Sequence, residues 1–232
     1  MTPRQQSILA SIVETYAQSA EPVGSAALCA IYDCSSATIR AEMATLEQLE
    51  LIMQPHISAG RVPTDKGYRA FVNALSSDES PVERHEQVLE RRLQKLEPDY
   101  DRAIKVATAT LADMTGNMGL ATLSDNVYFY GYGNLFRQPE FYATPMSFEV
   151  ARFLDSVENW LYEASPTEPL SVYIGRENPV GGGSGLSMII ARFVSPFSDK
   201  SYIGLVGSTR QNYERTMSLV GRAGQVLAET FE

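Results

Sequence analysis

The sequence predicts an α+β chain in two halves: a small helical unit closed by a two-stranded hairpin, then a strand-rich half beyond a helical connector. Three observations predict it. Apolar residues in the first fifty positions recur at helical spacing in three short blocks. The stretch "QPHISAGRVPTDKGYRAFVN", Gln54 to Asn73, reads as a hairpin running directly into a helix. From Gly119 onward the texture changes to short strand-like runs: "LATLS", "VYFYGYG", "SVYIG", "LSMIIARFV" and "SYIGLVG".

Thr2-Pro3-Arg4-Gln5 has the makings of a helix start, with Thr as N-cap, Pro in the first turn and Gln placed for a capping box. Ile8, Leu9, Ile12, Val13 and Tyr16 follow as one apolar stripe. "SAEPVGS" breaks that helix, and a short one with Ala26, Ala27, Leu28 and Ile31 comes next. "YDCSS" is a tight connection in which Ser35 or Ser36 caps a third helix carrying Ile39, Met43, Leu46 and Leu49. A short helix, a turn and a longer helix make a helix-turn-helix. Leu51 to Gln54 and Arg61 to Pro63 are extended arms, with Pro55 and Pro63 suited to the edges of such a ribbon. Gly60 is expected to turn the ribbon with positive φ, and Thr64 to cap a helix that points Tyr68, Phe71, Val72 and Leu75 inward. Three helices and a hairpin wing together give a winged helix-turn-helix over residues 1–76.

"SSDESP" reads as a linker. Beyond it Leu89, Leu93, Leu96, Tyr100, Ala103, Ala107 and Met114 alternate spacings of four and three, apart from a gap at Thr110. Pro98 predicts a kink or a helix junction there. Residues 77–118 thus form a helical linker that either covers its own domain or serves as a dimer seam. Residues 119–232 are read as antiparallel strands with helices on one side, including one helix from Phe148 to Tyr162 and another from Tyr213 to Phe231.

Composition excludes several functions. The 232 residues contain no apolar run long enough for a membrane span, and the amphipathic N-terminus lacks the apolar core of a secretory signal. Two cysteines, Cys29 and Cys34, are too few for a disulfide framework and fit a cytoplasmic setting as small core residues. The two histidines, His56 and His85, are far apart, which argues against a zinc site and against a catalytic triad. "VGGGSG" lacks the ending of a phosphate loop and reads as a hairpin connection. No cofactor or metal is expected, and the chain does not read as an enzyme.

The net charge of −9 would argue against nucleic acid, and residues 1–75 hold five cations against seven acids, a net −2. Any DNA contact must therefore use a few placed cations. With Ile39 at the centre of the buried face and a step of about 100° per residue, Ala37, Arg40, Ala41, Ala44 and Gln48 fall outward, with Thr38 and Thr45 at the edges. Such a small polar face lets a helix sink into a major groove, and Arg40 can contact guanine with two hydrogen bonds. The alternative for Arg40 is a surface ion pair with Glu42 or Glu47. At the hairpin tip, Arg61 is the one cation beside Gly60, suited to phosphates or a narrow minor groove, and Lys66 and Arg69 follow in the next helix. The expected DNA-contacting set is Arg4, Ser25, Ser36, Thr38, Arg40, Ala41, His56, Arg61, Lys66 and Arg69, with His56 read mainly as a turn residue.

"RQQSILASIVETY", "EPVGS", "SSATIRAEMATLEQLELI" and above all "QPHISAGRVPTDKGYRAFV" resemble the N-terminal domain of HrcA, the heat-inducible transcription repressor family of bacteria. "LADMTG", "GNLFRQPEF", "VYIGREN" and "GLVGSTRQNYERTMSLV" resemble the same family's GAF-like regulatory domain. The resemblance implies a cytoplasmic homodimer that binds an inverted repeat named CIRCE upstream of chaperone operons. It implies repression until heat releases the protein, with the GroEL chaperonin as a further partner. Leu123-Ser124 runs almost directly into Asp125-Asn126-Val127 where the family has extra chain, so the sequence resembles a shortened member without the inserted dimerisation segment. The family usually reads "PATIRNEM" on its recognition helix, where Ser36 and Ala41 stand here in place of Pro and Asn. Ala41 cannot donate to adenine as Asn would, so the operator is expected to differ at that contact. Two other readings remain open: a ligand-sensing winged-helix regulator with a different operator, and a winged helix that binds protein.

Overall fold

The computed structural model describes residues 1–75, 83–93, 99–124, 126–141, 144–164, 166–180 and 185–231. It contains two compact units, residues 1–77 with 210–212, and residues 78–209 with 213–232. The "SSDESP" linker, the Glu97-Pro98 junction and the interior of "VGGGSG" lie outside the described residues.

The first unit begins with α1 (Pro3–Ser19), which starts as its sequence dictates. The Gln5 amide donates to Thr2 Oγ1 at 3.2 Å while the Thr2 amide donates to Gln5 Oε1 at 2.9 Å, closing the capping box. Ile8, Leu9, Ile12 and Val13 are buried. α2 (Ser25–Tyr32) buries only Leu28; Ala26, Ala27 and Ile31 are exposed, since eight residues bring barely one turn to the core. α3 (Ser36–Gln48) is capped by Ser35, whose Oγ accepts from the Thr38 amide at 3.2 Å, and it buries Ile39, Met43 and Leu46. Leu49, expected inside, is the C-cap and lies exposed. Cys29 and Cys34 are half-buried free thiols.

The wing is short. β1 (Ile52–Met53) pairs antiparallel with β2 (Val62–Pro63), and Val23 adds a bridge to Arg61. α4 (Asp65–Ala74) follows at once, its Gly67 amide donating to the Thr64 cap at 3.0 Å, with Tyr68, Phe71 and Val72 buried. Two glycines are required by close approach. A Cβ on Gly67 would stand 1.9 Å from the Leu51 carbonyl oxygen, and one on Gly60 would stand 2.5 Å from the Val23 backbone. The expected positive φ at Gly60 is absent; the left-handed residue of the wing is Ser58, φ 73°. Gly60 is needed because the ribbon foot presses on Val23.

The second unit contains α5 (Glu83–Leu93), α6 (Tyr100–Thr115), β3 (Met118–Leu123), β4 (Asn126–Tyr130), α7 (Tyr132–Phe136), α8 (Thr144–Ala164), β5 (Leu170–Ile174), β6 (Leu186–Ser195), β7 (Ser198–Ser208) and α9 (Tyr213–Phe231). The five strands form one antiparallel sheet in the order β4-β3-β7-β6-β5. β4 is shorter than "VYFYGYG" suggests because Gly131, φ 82°, turns the chain into α7. Helices cover both faces of the sheet, where one covered face was expected. Val150, Phe153, Val157 and Leu161 of α8 share a core with Met118, Leu120, Met188, Ile190 and Val206. On the other face α9 packs on β6 and α6 on β3, with Gly224 close enough to Ala191 that a Cβ would stand 2.9 Å away. The central strands are accordingly buried along their length, as β3 is at all six positions. Leu89, Ala103 and Ala107 of the heptad pattern are buried within this unit, while Tyr100 and Met114 are half-buried. The architecture is α+β, a winged helix followed by a GAF-like domain.

Candidate nucleic-acid interface

The outer face of α3 is small and polar as its sequence requires: Ala37, Arg40, Ala41, Ala44 and Gln48 are exposed, Thr38 and Thr45 half-buried. Burial of Ile39, Met43 and Leu46 at four- and three-residue spacing turns that face outward. α3 is fixed from behind by α1, where Gln5 Nε2 donates to Glu42 Oε2 at 3.0 Å. α2 is tied to α1 by a 2.8 Å hydrogen bond between Ser11 and Tyr32.

Three of the expected residues meet at the start of the helix-turn-helix. Arg40 Nε lies 3.4 Å from Ser25 Oγ, which is itself 2.9 Å from Ser36 Oγ. The two acids that could have neutralised Arg40 are engaged elsewhere, Glu42 with Gln5 and Glu47 with Arg61. Arg40 therefore makes no ion pair among the described residues; its Nε rests on a serine and its side chain is exposed. Thr38 bonds back to the Ser35 cap, its Oγ1 2.9 Å from Ser35 Oγ. Ala41 lies open on the outer face, and Arg4 is exposed on the first turn of α1.

The wing cations are arranged differently from the sequence expectation. Arg61 does not project from the tip. Its backbone pairs with Val23 at 2.9 Å in both directions, and its guanidinium turns onto Glu47 of α3 at 2.9 Å. Lys66 pairs with Glu50 at 3.4 Å on an open surface, a contact weak enough to exchange for a phosphate. Arg69 is half-buried. His56 is exposed, with Nδ1 3.2 Å from the Ile57 carbonyl oxygen.

Sequence reasoning passes over Ile57, which stands 93% exposed at the wing tip. The available signal was a β-branched apolar residue inside a turn, where Gly, Asn, Asp, Ser or Pro is the usual choice.

Residues 63–217 match the family described as "HrcA protein C terminal domain", and residues 1–76 match "Winged helix-turn-helix transcription repressor, HrcA DNA-binding". A heat-inducible transcription repressor HrcA from Moorella thermoacetica is 23% identical over 338 aligned positions, covering 100% of this chain and 98% of that protein. The 338 positions exceed the 232 residues here by 106, so that relative carries residues with no counterpart in this chain. The HrcA of Synechococcus elongatus is 41% identical over 125 residues, 53% of this chain but 35% of the relative, so the matched part spans about a third of that protein. That of Synechococcus sp. (strain JA-2-3B'a(2-13)) is 56% identical over 77 residues, 32% of this chain and 20% of the relative. A crystal structure of a hypothetical protein shares the fold at TM-score 0.78 and 19% identity, over 100% of this chain and 98% of that one. No helix among the described residues is long and apolar enough to cross a membrane. The two family matches together span residues 1–217 and lead to one conclusion: the chain belongs to the HrcA family of heat-inducible transcription repressors.

Proposed function

We propose that this chain is a homodimeric repressor of chaperone operons that binds a CIRCE-type inverted repeat through α3 and is released by heat. The observation that carries the reading is Arg40, exposed on the small face of α3, supported by Ser25 and free of ion pairing among the described residues. A guanidinium so presented suits the two acceptors of guanine in the major groove. A two-fold dimer would offer two such helices to the two halves of a palindrome. Arg4 and Lys66 would add phosphate contacts, with Ser36 and Thr38 lining the entry to the groove. The GroEL chaperonin is the partner that would hold the repressor active. Release by heat fits the marginal stability common to folded domains, about 5–15 kcal/mol.

The decisive experiment is a gel shift with a CIRCE duplex and a scrambled duplex of the same composition. Preferential binding to CIRCE that weakens steeply with salt and on warming is the expected result. Equal binding to both duplexes would sink the operator assignment.

One observation favours a second reading, in which the GAF-like half senses a small molecule. An open groove of about 620 Å³, bordered by Asp99, Tyr100, Asp101, Tyr128 and Phe197, lies in the second unit. Native mass spectrometry of the purified protein would reveal a bound metabolite, and a ligand-free spectrum with no thermal shift across a metabolite panel would remove this reading.

A further inference from the structure

The wing tip, Gln54 to Gly60, is closed by hydrogen bonds and contains neither Lys nor Arg. The Ala59 amide donates to the His56 carbonyl at 3.0 Å, closing a turn with Ile57 second and Ser58, φ 73°, third. Gln54 Nε2 donates to the Ala59 carbonyl at 3.0 Å, and His56 Nδ1 lies 3.2 Å from the Ile57 carbonyl oxygen. At the foot, Gly60 presses on Val23 and Arg61 is locked in its bridge and ion pair. Backbone and polar side chains thus hold the tip in shape, while the Ile57 side chain, 93% exposed, adds nothing to the core. Met53 on β1 is also exposed, at 48%. Between Gln54 and Gly60 the sole titratable side chain is His56.

A wing built this way cannot probe DNA with a guanidinium at its tip. It can do so with a branched hydrocarbon, whose transfer out of water is favourable and whose backbone is set by the turn. Minor-groove proteins use isoleucine, leucine and phenylalanine in this manner, pushing between base pairs and kinking the duplex. Flexible pyrimidine–purine steps yield most readily to such a wedge. We propose that Ile57 is a minor-groove wedge that unstacks one base step beside each half-site, and that it sets a sequence preference at a position α3 does not read. The proposal rests on the DNA-binding reading above and adds a specificity-determining residue to it.

The test compares the wild type with Ile57→Ala and Ile57→Leu on two duplexes, CIRCE and its scrambled version, each carrying 2-aminopurine at a flanking pyrimidine–purine step. The side chain is exposed, so both variants should melt as the wild type does. Wild type and Ile57→Leu should raise 2-aminopurine fluorescence on binding. Ile57→Ala should lose that signal and bind about tenfold more weakly. An Ile57→Ala protein that binds within about twofold of wild type and gives the same fluorescence overturns the wedge. If the wild type binds both duplexes equally, the operator assignment fails, and the wedge is judged on the scrambled duplex by the same variants. If it binds neither at low salt, the wedge falls with the DNA-binding reading.

Discussion

Two nitrogens of Arg61 reach one carboxylate oxygen of Glu47, Nη2 at 2.9 Å and Nε at 3.1 Å, across fourteen positions of sequence. The pair joins the foot of the wing to the second half of α3, and with the Val23 bridge it sets where the ribbon leaves the domain. Both side chains are partly shielded, at 22% and 37% exposure, so the contact exceeds a fully exposed surface pair in value. Arg61→Ala should lower stability, and in a Glu47→Ala background it should do so less. A coupling of about 1 kcal/mol in a urea double-mutant cycle is expected. Strict additivity would make the pair a bystander.

Arg40→Ala should leave the melting temperature nearly unchanged, because the side chain is exposed and holds only a long contact to Ser25. Operator affinity should fall by about 1–3 kcal/mol while affinity for scrambled DNA changes little. An equal loss on both duplexes would assign Arg40 to phosphate instead of base. Lys66→Ala should behave in that second way and reduce the salt slope by about one.

Gly67→Ala places a methyl group 1.9 Å from the Leu51 carbonyl oxygen, a clash with backbone that no rotamer relieves. Loss of about 3 kcal/mol or more is expected by chemical denaturation. Gly221→Ala on α9 meets nothing within 4 Å and should stabilise by about 0.5–1 kcal/mol, since alanine restricts the unfolded chain and favours helix. If both variants behaved alike, the packing of α4 against Leu51 would be wrong.

Burial, followed by the hydrogen bond and charge of Asp101, pushes the Tyr128 hydroxyl up from 10.0 to about 12. Asp101 shifts the opposite way, held below its usual range by Lys105 first and Tyr128 second. The signs differ accordingly. The Tyr128 contribution to stability is complete below pH 10 and fades as pH climbs toward 12, whereas that of Asp101 holds above its ordinary value and fades in acid. Ultraviolet titration should show a late-titrating phenol component that is lost in Tyr128→Phe. Asp101→Asn should move it toward its ordinary value without reaching it, because burial remains.

Local chemistry was readable in the sequence. Thr2-Pro3-Gln5 and Thr64 specify helix starts through side-chain oxygens placed for bare amides, and both caps form. The spacing of Ile39, Met43 and Leu46 determined the buried face of α3, and hence that Arg40 and Ala41 point outward. These features depend on neighbours within one helical turn, which a linear chain already contains. What only the tertiary structure decided were meetings between distant segments. Glu47 captures Arg61 and removes it from the tip; Val23 and Leu51 leave no room for a side chain at Gly60 or Gly67. α8 closes the second face of the sheet, which alternation alone could not reveal once both faces were apolar. The sequence determined which side chains face out. The fold decided which of those stay unpaired, because pairing depends on distances the linear order does not contain.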